Sequence, residues 1–101
     1  METKYQTRNI TSADAGSTVV IRKKGDSGDG EFGYLTNLGD SAHTIAFYDG
    51  DPAGPASGYT LICTKPASMP AGTLWFKRPV TRGLFAVVAA SYAGNSVVGY
   101  N

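Results

Sequence analysis

Eight short runs of β-favouring residues, each closed by a cluster of turn residues, restrict the fold of this chain more than any other feature. They read KYQTRNIT (4–11), STVVIRK (17–23), FGYLTNL (32–38), HTIAFYD (43–49), YTLICTK (59–65), GTLWFKR (72–78), GLFAVVAA (83–90) and NSVVGYN (95–101). Between them stand GDSGDGE, GDSA, GDPAGPASG, PASMPA, PVTR and SYAG, made of the residues that turn geometry demands. So many short strands in 101 residues predict a single-domain antiparallel β-sandwich, of jelly-roll or immunoglobulin-like type. Residues 1–11 form an N-terminal arm or an edge strand of that domain.

Alternation within the runs fits strands and not helices. Ile45 and Phe47 share one face, with Thr44, Ala46 and Tyr48 on the other. Likewise Leu74 and Phe76 oppose Thr73, Trp75 and Lys77, and Val19 and Ile21 oppose Thr18, Val20 and Arg22. The second faces keep Val20, Tyr48 and Trp75, more apolar surface than a monomer leaves wet, which predicts burial against another chain. The ADAGS stretch near Ala13 has helical character but is too short for a helix standing alone.

Composition narrows the function. Thirteen glycines and eleven aromatics with only 17% charged residues describe a turn-rich folded domain, not a disordered chain. No apolar run approaches the roughly 20 residues of a membrane helix, and the N-terminus METKYQTRN lacks a hydrophobic signal region, so neither a membrane span nor export by that route is expected. A net charge of +1 hides a balance of −2 over residues 1–50 and +3 over residues 51–101. That is too mild for a nucleic-acid footprint, although it can bias docking onto an acidic neighbour. Cys63, the single cysteine, permits no intrachain disulfide and reads as a buried, inert thiol.

Four clusters invite a chemical reading. In YDGDPAGPASGY, residues 48–59, Asp49, Asp51 and Gly54 match the first, third and sixth positions of an EF-hand loop, but Ala53 and Thr60 occupy the fifth and twelfth. The glycines there lack the lysine of a P-loop, so a strand-ending turn with a pendant loop is left. GDSG (25–28) is similar to the serine-protease nucleophile motif, yet His43 follows Ser27 where that family has its histidine before. Asp26, Asp29 and Glu31 could hold a cation or act as a carboxylate pair, but Arg22, Lys23 and Lys24 precede them and compensate the cluster. His43 has no ligand partner nearby, and Lys77, Arg78 and Arg82 read as exposed loop charge. No catalytic set, metal site or cofactor site is predicted, and an enzyme is not expected.

Taken in order, TRNIT (7–11), VVIRKKG (19–25), IAFYDG (45–50), GYTLI (58–62), GTLWF (72–76), TRGLFAVVA (81–89) and SVVGYN (96–101) resemble a family of small tailed-bacteriophage virion proteins. The likeness lies in Tyr48-Asp49-Gly50, Gly83-Leu84 and Val98-Gly99-Tyr100 and in their order, and covers nearly the full chain. It implies a compact β-sandwich made in the host cytoplasm and mounted on the virion, as a capsid decoration (cement) protein on the outer head surface. The implied partners are the major capsid protein and further copies of the chain, as a homotrimer, with no nucleic acid and no membrane. Contacts are expected from Lys4, Tyr5, Gln6, Thr7, Arg8 and Asn9, and from Tyr48 and Trp75. The alternative is a host-recognition or carbohydrate-binding module on a fibre or tail, using Trp75, Tyr48 and Tyr59 as an aromatic platform. A small hydrolase using Asp26, Asp29 or Glu31 is the weakest reading.

Overall fold

The computed structural model describes residues 5–22, 30–38, 43–66, 69–81 and 83–101. Its strands are β1 (Gln6–Ile10), β2 (Thr18–Arg22), β3 (Gly30–Asn37), β4 (Ile45–Asp49), β5 (Thr60–Lys65), β6 (Gly72–Val80), β7 (Leu84–Val88) and β8 (Ser96–Tyr100). Each falls on one of the eight runs read from the sequence. No α-helix occurs among the described residues, and the stretch near Ala13 makes a 3-10 turn, Ser12–Asp14. Thr11 caps that turn: its hydroxyl accepts from the Ala13 amide while the Asp14 carboxylate accepts from the Thr11 amide.

Two four-stranded antiparallel sheets pack as a sandwich, the first ordered β1-β8-β3-β6 and the second β2-β7-β4-β5. The pairs β1·β8, β2·β7, β3·β6 and β4·β5 are nested, as if one long hairpin had been rolled up. This is the strand order of a jelly roll and resolves the choice left open against the immunoglobulin-like arrangement. The innermost connection of the roll is the β4–β5 loop, residues 50–59. At the other extreme β1 is an edge strand, paired along its length with β8 of the same chain.

Inner faces of both sheets supply one core. Ile10, Phe32, Leu35, Val80 and Val98 come from the first sheet, and Val19, Ile45, Phe47, Leu84, Ala86 and Val88 from the second. Phe32 and Phe47 join the layers at 4.9 Å between ring centres, and Phe76 lies 4.7 Å from Phe32. Fully burying such side chains stabilises by roughly 1.5–3 kcal/mol each. The expected face of Ile45 and Phe47 is the buried one.

Two expectations need correction. Arg22 was assigned to the outer face with Val20, but a register shift between Val20 and Arg22 turns it inward, where it is buried against Gly30. Leu74 pairs with buried Leu35 yet is half exposed, on the edge strand β6.

Candidate functional site

Cross-strand register sorts the outward residues into rows. On the first sheet, one row runs Trp75–Tyr34–Gly99–Thr7 and the next Thr73–Thr36–Val97–Asn9. On the second sheet, the rows are Leu61–Tyr48–Phe85–Val20 and Thr64–Ala46–Val87–Thr18. None of these residues carries a charge. Arg8, Asp14, Arg22, Glu31, Asp49, Asp51, Lys65, Lys77 and Arg78 all lie at strand ends, on edge strands or in loops. Outward strand positions ordinarily take polar or charged residues, so both sheets present unusual faces.

The first face carries an aromatic cluster. Tyr34 lies against Trp75 at 4.9 Å and 67°, and Tyr5 reaches both, at 5.8 Å from Tyr34 and 6.2 Å from Trp75. Glycine makes this seating possible. A side chain at Gly99 would occupy the Tyr34 ring, and one at Gly33 would occupy the Tyr5 ring. Opposite Gly33, β6 bulges: Phe32 pairs with Arg78 and Tyr34 with Trp75, so Phe76 and Lys77 are accommodated between them, Lys77 with φ of 48°. The bulge brings the Lys77 ammonium 5.9 Å from the Trp75 ring centre. Tyr5 donates its hydroxyl hydrogen bond to the Glu31 carboxylate, which holds the phenol above its ordinary value. Beside the rings an open groove of about 380 Å³ is lined by Tyr34, Thr36, Thr73, Trp75 and Val97. The Thr36 and Thr73 hydroxyls bond each other across β3 and β6 at 2.8 Å.

The second face is built around Phe85. Though it points outward, Phe85 is buried, stacked on Tyr48 at 5.1 Å and met edge-on by Tyr59 at 4.9 Å. Val20, Leu61 and Val87 surround it and are each more than two-fifths exposed. The β4–β5 loop delivers Tyr59. Its hydroxyl shares its one proton between the carbonyls of Pro52 and Gly54, both at 3.0 Å, pinning the loop across its own middle. Asp51 accepts from the Ala53 amide at 3.0 Å, and Asp49 accepts from the Thr81 amide at 3.2–3.3 Å. Both carboxylates of the D-x-D motif thus bond backbone amides. No group of three or more His, Cys, Asp or Glu side chains among the described residues could hold a metal ion.

The other singled-out residues divide between these faces and the rest of the chain. Tyr5, Gln6, Thr7, Arg8 and Asn9 belong to or adjoin β1 and are held within their own sheet, Arg8 also pairing with Asp14 at 3.4 Å. Lys4, the GDSG serine Ser27, Asp26, Asp29, Lys23, Lys24 and Arg82 lie outside the described residues. Trp75 and Tyr48 are on opposite sides of the sandwich, so Trp75, Tyr48 and Tyr59 form no common platform. The platform is Tyr5–Tyr34–Trp75 instead, and Tyr34, Thr36 and Thr73 were missed because register alone makes them neighbours of Trp75. Their period-two spacing was the available signal. His43 precedes β4, and its carbonyl accepts from the buried Lys65 ammonium at 3.3 Å. Cys63 is half-buried, and desolvation pushes its thiol up to about 11. Comparison with models of protein families, with curated proteins and with solved structures finds no match.

Proposed function

We propose that this chain is a bacteriophage virion structural protein: a capsid decoration (cement) protein that binds the major capsid protein on the outer head surface and stabilises the shell. The observation that carries the reading is the charge-free outer face of the second sheet, where Val20, Leu61 and Val87 stand exposed around the Tyr48–Tyr59–Phe85 stack. A surface of that composition, laid on a four-stranded sheet, gains stability when a neighbouring protein removes it from water, at about 25 cal/mol per Å² of apolar area. Many copies around a shell multiply a modest contact through multivalency. Jelly rolls recur in viral capsid and lectin domains, a support at the level of fold, while the docking face is the specific feature. The order of motifs resembling small phage virion proteins points the same way.

Self-association into a homotrimer would use the same uncharged surface, Tyr48 lying within it and Trp75 on the other side. The chain is expected in purified particles of the phage that encodes it, accessible on the head surface. Mass spectrometry of gradient-purified heads, combined with surface proteolysis, checks this. Absence from the particles, or presence only in detached tails, would sink the cement reading.

A further inference from the structure

We propose that the groove on the outer face of the first sheet is a binding site for neutral saccharides, with Trp75 and Tyr34 as the stacking surface and Thr36 and Thr73 as the hydroxyl-reading pair. The proposal does not rest on the virion assignment, and it concerns the face opposite the one used there for docking.

Three observations converge on this ligand class. Trp75 is 59% exposed although it is the only tryptophan of the chain and sits against two tyrosines. An aromatic face presents negative charge density to whatever stacks on it, and the axial C–H groups of a pyranose ring supply the matching partial positive charge. The second observation is the threonine pair. Two hydroxyls hold two donors and four lone pairs; their mutual bond at 2.8 Å uses one of each and leaves one donor and three lone pairs. A sugar hydroxyl both donates and accepts, so an amphoteric pair suits it where a carboxylate or ammonium would serve only one role. Thr36 lies two residues beyond Tyr34, and Thr73 two before Trp75, which sets the hydroxyls roughly 7 Å along the strands from the rings. That is the scale of one sugar unit with its hydroxyls.

Charge supplies the third observation. Tyr34, Thr36, Thr73, Trp75 and Val97 are all neutral, and the adjoining Thr7 and Asn9 extend the row with uncharged polar groups. Among the described residues, the cation an anionic ligand would find beside the rings is Lys77, already over the Trp75 ring. Nucleic acid, phosphate and acidic polymers are disfavoured, and a neutral polyhydroxyl ligand remains. The groove volume of about 380 Å³ lies at the small end of ligand sites, suited to one or two sugar units. Affinity is accordingly expected in the micromolar to millimolar range for a single site.

Trp75 reports on its own site. Titrating the full chain with methyl glycosides of glucose, galactose, mannose and N-acetylglucosamine, and with neutral di- to tetrasaccharides of these units, should give a saturable change in tryptophan emission for at least one. Added salt should leave that affinity unchanged, since no ion pair is made. The double variant T36V/T73V keeps the ring surface and should bind at least tenfold more weakly, while W75A, followed by saturation-transfer NMR, should lose binding with its far-UV circular dichroism intact. No saturable response to any saccharide of the panel overturns the proposal. So does binding that survives W75A, or binding confined to anionic polymers that collapses with salt.

Discussion

At the scale of single residues, glycine decides where the aromatic rings can lie. Gly99 and Gly33 are not turn glycines: they stand within paired strands, and each is roofed by a tyrosine ring that a Cβ would displace. The substitution Gly99→Val should therefore expel Tyr34 from its seat and break its edge contact with Trp75. An aromatic pair contributes about 1 kcal/mol beyond its buried area. A stability loss of that order is expected in denaturant titrations read by circular dichroism, with a shift in Trp75 emission. Cys63 carries a second prediction. Burial raises its thiol from 9.0 to about 11, opposed by a smaller lowering from the Arg78 charge. The folded chain then retains a proton that the unfolded chain has released, so this contribution to stability is complete below pH 9 and is lost as pH rises through about 11. Near neutral pH a thiol reagent should label the native chain slowly. In Cys63→Ala, the fall in stability above pH 9 should be shallower than in the parent, a comparison that separates the thiol from the tyrosines.

At the scale of elements, the β4–β5 loop is held together by contacts that its sequence does not display. YDGDPAGPASGY reads as a strand-ending turn with a pendant loop, and it connects β4 to β5 with both carboxylates bonding backbone amides. Its packing was not legible. Tyr59 ends the loop in sequence, yet its hydroxyl returns to Pro52 and Gly54 while its ring covers Phe85. The substitution Tyr59→Phe keeps the ring and removes both bonds, a loss of about 1–2 kcal/mol. Hydrogen exchange should accelerate in residues 50–59 before the flanking strands respond. The bulges were equally hidden. Neither Val19 to Arg22 nor Trp75 to Arg78 carries a local mark of an extra residue, which is placed only by the strand opposite.

For the whole molecule, nesting the strand pairs turns an alternating pattern into two outer faces, with uncharged outward rows, on opposite sides of one core. In the sequence, Val20, Tyr48 and Trp75 stand as one excess of apolar surface over what a single core needs. The sandwich divides them: Val20 and Tyr48 go to the face assigned to docking, and Trp75 to the face assigned to saccharide. A charge placed on the docking face, on its edge strand β5, should abolish association without unfolding. In Leu61→Arg, sedimentation velocity should find monomer at concentrations where the parent self-associates, with stability changed by no more than about 0.5 kcal/mol because the site is more than half exposed. A parent chain that stays monomeric at high concentration would remove the trimer.

Local chemistry, written in neighbouring residues, was sufficient for the class of fold. Period-two alternation and turn residues need no distant partner, and they located all eight strands and the buried face of β4. What depends on pairing was settled only by the tertiary structure: the jelly-roll order, the inward turn of Arg22, the seat of Tyr34 on Gly99, and the meeting of Thr36 with Thr73 across 37 positions of the chain. Register is a relation between strands far apart in sequence, and a shift of one residue exchanges the faces of a strand. The candidate groove is a product of register, which is why Trp75 stands out in the sequence while the groove beside it does not.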